Sequence, residues 1–261
     1  MLFAQITDTH IVAPGRTVFG VDTATCLRRA LAHLGRARPQ PEFVIITGDL
    51  TDHGDAHEYA HLVEILKDLP VPVHVIPGNH DDRAALRACR STFPSLPENG
   101  FLQFTLEAGP LRLIALDTHA PGEAGGRLSA ERLDWLEAEL AAARGRPCAL
   151  FMHHPPFATG IGHMDAMGLM EGGGRMAALV RGHGDVHGIF CGHLHRTIGR
   201  AWAGTRAATM PATGHQVALD LVPGTPATLI MEPPCVQWHC WQDGLVSHID
   251  YVDGHEVVAR P

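Results

Sequence analysis

No run in this chain approaches the roughly 20 consecutive apolar residues of a membrane-crossing helix, which excludes an integral helical membrane protein. Runs of Lys or Arg are also missing. Lys and Arg total 20 against 28 Asp and Glu, for a formal charge of −8. Proteins that grip nucleic acid usually present a basic face, so no stable nucleic-acid partner is expected and a small substrate is favoured. Bound metal would reverse the sign locally. Cysteine is sparse and unpaired in pattern. The six residues, at 26, 89, 148, 191, 235 and 240, form no CxxC, which excludes a zinc ribbon and a thioredoxin-type motif. Cys148 and Cys191 lie in apolar runs and are expected to be buried. Cys235 and Cys240 lie in a Pro-rich region and are candidates for exposure, with a disulfide there left open. There is no signal-peptide pattern, since Met1 leads at once into Leu2–Ile6. The N-terminus is therefore expected inside the fold and the protein in the cytoplasm. Repeats, low-complexity tracts and linkers are absent as well.

What is present is a globular composition: 261 residues, 45% hydrophobic, with near-zero mean hydropathy. Buried strands are expected at Phe3–Thr7, Phe43–Thr47, Val73–Ile76, Leu111–Leu116, Ala149–Met152 and Gly188–Cys191. Helical patterns alternate with them at Thr23–Gly35, Ala56–Leu66, Arg83–Phe93, Ala130–Ala143 and Arg175–Arg181. Ser129 is the expected N-cap of the fourth, in which Leu133, Leu136 and Leu140 recur at helical spacing. This alternation predicts an α/β fold with a mainly parallel sheet. After about residue 200 the pattern changes to strands at Ala207–Met210, Gln216–Leu221, Thr228–Met231, Val236–Trp241 and Leu245–Tyr251. They read as an antiparallel run that completes a second sheet or projects as a hairpin arm.

Histidine is abundant, at 19 residues, and several fall into five short pieces that each follow an apolar run. The pieces are Asp8-Thr9-His10, Gly48-Asp49, Gly78-Asn79-His80-Asp81, His153-His154-Pro155-Pro156 and Gly192-His193-Leu194-His195. Sites in parallel sheets gather at the carboxyl ends of strands, where all five lie. Taken singly, each has a plain structural reading: a solvated polar pair, a turn carboxylate, a turn amide, a core or surface histidine. Taken together they supply carboxylates, imidazoles and one neutral amide without thiolate, a donor set for two neighbouring divalent metals. Asp8 and His10 are expected to share a face of extended backbone, as are His193 and His195. Two such metals lower the pKa of a bound water, orient ester oxygens and stabilise in-line attack on phosphorus. With Asp8, Asp49 and a hydroxide counted against two ions, the site stays net positive and attracts a phosphodiester anion.

On these residues the chain resembles the calcineurin-like metallophosphoesterases, whose pattern is D-x-H, G-D, G-N-H, H and G-H-x-H. Within them it is most similar to the bacterial class III cyclic-nucleotide phosphodiesterase and glycerophosphodiesterase group, through Met1–His10, Ile76–Asp82, Phe151–Phe157, Ile189–His195 and Gly214–Val217. The resemblance implies a four-layer αββα sandwich with a C-terminal β-rich elaboration or dimerisation arm. It implies one domain over residues 1–261, with a core to about 215 and the arm or cap at about 216–250. Asp8, His10, Asp49 and His195 would hold the first metal, and Asp49, Asn79, His153 and His193 the second. The metals would be iron, manganese, zinc or cobalt. His80 would be catalytic, near the leaving-group oxygen, or would orient Asp49. Asn79, His80 and His215 would contact substrate, with loops near Phe19 and Asp165 adding to the pocket wall. Asp52 would support the ligands, and His154 would be structural or pocket-lining. The group's oligomers imply a dimer or dimer-based hexamer, with Trp238 and Trp241 packing an arm.

The expected activity is hydrolysis of small phosphodiesters, with glycerophosphodiesters ranked before cyclic nucleotides. Phosphomonoesterase activity is the alternative. Protein phosphatases of this superfamily carry G-D-x-V-D-R-G, whereas here Gly48-Asp49-Leu50-Thr51-Asp52-His53-Gly54 lacks the arginine that grips a phosphate dianion. A nuclease fits poorly with the missing basic surface. A metal-free scaffold fits poorly with a complete ligand set.

Overall fold

The computed structural model describes residues 1–252. Strands β1 (Leu2–Ile6), β2 (Val44–Thr47) and β3 (Val73–Ile76) run parallel, separated by helices α1 (Thr23–Arg36) and α2 (Ala56–Leu66). Helix α3 (Arg83–Ala88) follows, then strands β4 (Phe104–Ala108), β5 (Leu111–Ala115) and the short β6 (Gly126–Arg127). Helix α4 (Ala130–Ala142) leads to β7 (Cys148–Met152), and the one-turn α5 (Gly162–Asp165) to β8 (Leu169–Glu171). Helix α6 (Gly173–His183) precedes β9 (Val186–Cys191), β10 (Ile198–Trp202) and β11 (Thr205–Thr209). The remaining strands are β12 (Gln216–Val217), β13 (Leu229–Ile230), β14 (Cys235–Trp241) and β15 (Leu245–Tyr251).

Two main sheets result, with strand orders β15-β14-β1-β2-β3 and β10-β11-β9-β7-β5-β4. Period-two side-chain alternation divides the core into layers. Ala4, Ile6, Val44 and Ile46 pack with Leu27, Leu34 and Leu62 of α1 and α2. Phe3, Phe43 and Ile45 point the other way and meet Leu113, Phe151 and Phe190 of the second sheet. That sheet's far face, including Leu150 and Ile189, packs on Leu133, Leu136 and Leu140 of α4 and on Val180 of α6. The architecture is the expected αββα sandwich. Each fully buried aliphatic or aromatic side chain contributes about 2 kcal/mol to holding these layers together.

Several local expectations are corrected. Of the two readings of the C-terminal hairpin, sheet completion holds and the projecting arm does not: β14 pairs antiparallel with β1, in register Phe3 with His239, and extends the first sheet. Trp238 packs against the helix-side core and Trp241 against the inter-sheet core. Cys235 is buried rather than exposed, and both Cys235 and Cys240 are free thiols. The strand expected at Gln216–Leu221 stops at Val217, and its partner shrinks to Leu229–Ile230, because Pro223, Gly224 and Pro226 fill the connection. Helix α3 ends at Ala88 rather than Phe93, and residues 89–92 continue as turns. Ser129 occupies the N-cap position of α4 without a side-chain cap bond, whereas Asp22 caps α1 through the Thr25 N–H at 2.9 Å. Strands β4 and β10, not expected from the sequence, form the two edges of the second sheet. Residues 253–261 of the expected domain span lie outside the described residues.

Candidate metal centre

The loops leaving β1, β2, β3, β7 and β9 converge where the two sheets open. Backbone bonds stitch them together, from Asp8 N to Gly48 O at 3.0 Å, His10 N to Asp49 O at 2.9 Å and Gly192 N to His153 O at 3.1 Å. Asp8, His10, Asp49, His193 and His195 all have positive φ, between 42° and 69°. The extended backbone expected for the two x-spaced pairs is thus replaced by left-handed loops, which curl the side chains inward. Such strain costs on the order of 1–3 kcal/mol per residue and gathers at functional sites. The glycines permit the close approach. A Cβ at Gly78 would meet Asp49 Oδ1 at 2.2 Å, and one at Gly192 would meet Thr7 Oγ1 at 2.1 Å.

The convergence brings the donor atoms of Asp8, His10, Asp49 and His195 within 4.8 Å of one another, all buried. Asp49 also joins a second group. Its Oδ2 lies 3.7 Å from His10 Nε2 and 3.3 Å from His153 Nε2, while Asn79 Oδ1 lies 3.2 Å from His153 Nε2. The His193 ring stands 5.1 Å from that of His153, centre to centre. All seven residues expected as ligands are therefore gathered in one place.

Hydrogen bonds fix the tautomers. His153 Nδ1 donates to Thr47 O at 2.8 Å and His195 Nδ1 to His215 O at 2.9 Å. His10 Nδ1 donates to Asp52 Oδ1 at 2.9 Å. In the neutral rings each Nε2 then carries a lone pair aimed into the centre, the arrangement that outer partners impose on metal-binding imidazoles. The Nε2 atoms of His10 and His195 face each other at 3.2 Å. Two lone pairs at that distance need either a proton or a metal ion between them. His193 Nε2 is buried without a hydrogen-bond partner, a further unmet need. The donor set suits divalent metal ions on these grounds.

Electrostatics agree. Burial alone would raise Asp8, but the imidazoles of His195 and His153 outweigh it and hold Asp8 at about 2. Asp49 is held well below the usual carboxylate range, since the charge and hydrogen bond of His153 overcome burial. Burial disfavours a charged His153, yet Asp49 and Asp8 push it up to about 9. His193, desolvated and beside His153, falls to about 3. The site thus carries permanent anions, and a bound metal ion would take the place of the proton on His153.

The surrounding residues divide by their commitments. His80 donates its backbone N–H to Asp49 Oδ1 at 2.9 Å, and its Nδ1 donates to Asp52 O at 2.8 Å. The ring is 40% exposed, and the charge of Asp49 raises its pKa against the effect of burial. His154 is a neighbour of the cluster but spends both ring nitrogens, on Thr118 Oγ1 at 2.7 Å and Ala124 O at 3.1 Å. His215 lies tilted beside His195 and His10, with ring centres 5.0 and 5.5 Å away, and burial lowers it to about 4. The largely exposed Phe19 ring stands 5.9 Å from His215. Asp165 instead organises its own loop, accepting from Thr159 N at 2.6 Å and Gly160 N at 2.9 Å.

One supporting residue went unassigned from the sequence. Asp81 is buried and accepts from Gly78 N at 2.8 Å, Tyr59 Oη at 2.8 Å, Leu50 N at 3.1 Å and Thr51 N at 3.3 Å. It clamps the Asp49 loop to the Asn79 loop. Burial and the charge of Asp49 push it up to about 6, against the donors that favour its anion. Its adjacency to the Gly-Asn-His piece was the available signal.

Comparisons with known proteins follow the same line. Residues 1–197 match the family described as calcineurin-like phosphoesterase. A protein of Arcobacter nitrofigilis named "Probable glycerophosphodiester phosphodiesterase GpdQ" is 39% identical over 259 residues, covering 98% of this chain and 95% of that one. "Probable cyclic nucleotide phosphodiesterase RPA0124" of Rhodopseudomonas palustris is 38% identical over 227 residues, covering 85% and 81%. A dimetal phosphatase from Danio rerio superposes with a TM-score of 0.70 at 16% identity, covering 97% of this chain and 96% of that one, which shows a shared fold. Fold, donor set and sequence coincide, and the chain belongs to the calcineurin-like phosphoesterase family.

Proposed function

We propose that this chain hydrolyses small phosphodiesters at a centre of two divalent metal ions. The observation that carries the reading is the placement of Asp49 Oδ2 between His10 Nε2 and His153 Nε2, at 3.7 and 3.3 Å. One carboxylate oxygen so placed is shared by two ligand groups. Asp8, His10, Asp49 and His195 would hold one ion, and Asp49, Asn79, His153 and His193 the other. When bound, the pair supplies the positive charge that makes water a nucleophile at neutral pH and offsets charge building on the phosphorus oxygens. Asn79 adds an oxygen without adding charge, which keeps the centre attractive to an anionic diester.

The chain's own groups do the rest. His80 has Nδ1 committed to the Asp52 carbonyl, so Nε2 is the nitrogen that meets substrate. A proton on that nitrogen would go to the leaving alkoxide, the role of a general acid. His215 presents a neutral ring beside the first ligand group and orients the diester. The exposed Leu219, Leu221, Val222 and Met231, in the segment around β12 and β13, favour a homo-oligomer.

Glycerophosphodiesters rank before cyclic nucleotides as substrates, following the relative matched over almost the whole of both chains. The deciding measurement is kcat/KM for bis(p-nitrophenyl) phosphate over p-nitrophenyl phosphate with manganese supplied. A ratio well above one supports the diesterase, and glycerophosphocholine and cyclic AMP are then compared directly. A ratio below one replaces this reading with a phosphomonoesterase.

A further inference from the structure

The layer between the sheets is aromatic and apolar, with one buried polar line through it. Phe3, Phe151 and Phe190 surround His239, with ring centres 4.8, 5.7 and 4.4 Å from it. His239 is fully buried, and desolvation holds it neutral, lowered to about 3. Its Nε2 lies 3.1 Å from Gln5 Oε1, which only accepts, so the proton is on Nε2. Nδ1 then accepts from Ser247 Oγ at 2.9 Å. Gln5 Nε2 donates to Thr47 Oγ1 at 2.9 Å, and that hydroxyl turns toward Ile6 O at 3.5 Å. Every bond runs in one direction, from β15 through β14 and β1 to the end of β2.

The line ends at the metal centre. The Thr47 carbonyl accepts the Nδ1 proton of His153 at 2.8 Å. The same carbonyl lies 3.1 Å from Thr7 Oγ1, which is 2.6 Å from Asp8 Oδ2. An apolar residue at each position would fill this layer with no polar group left to satisfy. A complete polar line in its place fixes geometry instead.

We propose that Ser247, His239, Gln5 and Thr47 form a positioning chain that sets the Thr47 carbonyl, and through it His153 and Asp8, for metal binding. The C-terminal hairpin is then part of the metal-binding unit rather than an appendage. The inference rests on the metal reading of the centre. Partners that orient a ligating imidazole are worth about 10–100-fold in metal affinity, and this chain acts one bond further out.

The test is a cobalt(II) titration of the metal-stripped protein, followed by visible absorption and paired with thermal melting. Thr47→Val is isosteric and folds with Gln5 Nε2 left without its acceptor, and the ion held by His153 binds about tenfold more weakly. Thr47→Ser restores the hydroxyl and returns affinity to within about twofold of wild type. His239→Phe keeps the aromatic packing and weakens the same ion, and the double variant is no worse than the weaker single, as for one shared chain. Lower melting temperatures with unchanged cobalt affinity in Thr47→Val and His239→Phe overturn the proposal. A wild-type protein that takes up no cobalt overturns the metal reading as well.

Discussion

Asp49→Asn keeps the side-chain volume and an oxygen for the His80 N–H, which the carboxylate accepts at 2.9 Å. It removes the one negative charge common to both ligand groups. At an effective dielectric of about 20, a unit charge at about 4 Å interacts with a cation charge by about 4 kcal/mol. A divalent ion carries two such charges, so at about 1.4 kcal/mol per tenfold each ion weakens by up to about six decades. The opposing effects are in the metal-free fold. Burial disfavours the Asp49 carboxylate and its charge raises Asp8, so the stripped variant relieves both costs but loses the attraction of His153. The melting temperature of that stripped variant stays close to wild type. Asp8→Asn is the contrast, because Asp8 enters only the first ligand set and its loss costs one ion. The assay is metal content by mass spectrometry after dialysis against micromolar manganese, with kcat/KM on the same samples. The expected order is two equivalents in wild type, one in Asp8→Asn and close to none in Asp49→Asn. Asp49→Asn with two equivalents and near-normal turnover refutes the shared-carboxylate reasoning.

His80→Ala separates proton donation from binding. A loss of about 100-fold in kcat is expected for an alkyl diester such as glycerophosphocholine. A loss under about tenfold is expected for bis(p-nitrophenyl) phosphate, whose leaving group needs no proton, and equal losses count against the role. The pH dependence of stability has opposite signs with and without metal. His153 is raised from 6.5 to about 9, so its contribution to the metal-free fold is full below pH 6.5 and disappears as pH rises through 9. Metal binding requires that proton to leave, so the manganese-loaded protein gains stability across the same window, and parallel melting curves with chelator and with manganese refute this. Asp81→Ala leaves the N–H groups of Gly78, Leu50 and Thr51 and the Tyr59 hydroxyl without their acceptor and costs about 3 kcal/mol or more by urea unfolding. A cost under about 1 kcal/mol means that the clamp is not structural.

What was legible in the sequence follows from what sequence order records. Asp8, Asp49, Asn79, His153 and His193 each sit just beyond a strand, and strand ends in a parallel sheet share one edge, so five separated pieces implied one site. The left-handed backbone at Asp8, His10, Asp49, His193 and His195 left no such mark, because Asp and His tolerate extended and left-handed conformations alike. His154 shows the same limit: it adjoins His153 in sequence, and only its bonds to Thr118 and Ala124 set it apart. Strand order was hidden for another reason. β14 lies more than two hundred residues from β1, and nothing in Cys235–Trp241 names Leu2–Ile6 as its partner. Once that pairing exists, Gln5 and His239 cease to be stray polar residues in apolar runs and become partners across one layer. The Phe3–Thr7 run reads as apolar because Gln5 is a minority within it. Its polarity acquires meaning only when the distant strand supplies the second half of the bond. Residues that converge at the centre were readable from type and order, whereas the hydrogen-bonded line behind them depends on pairings that the fold alone creates.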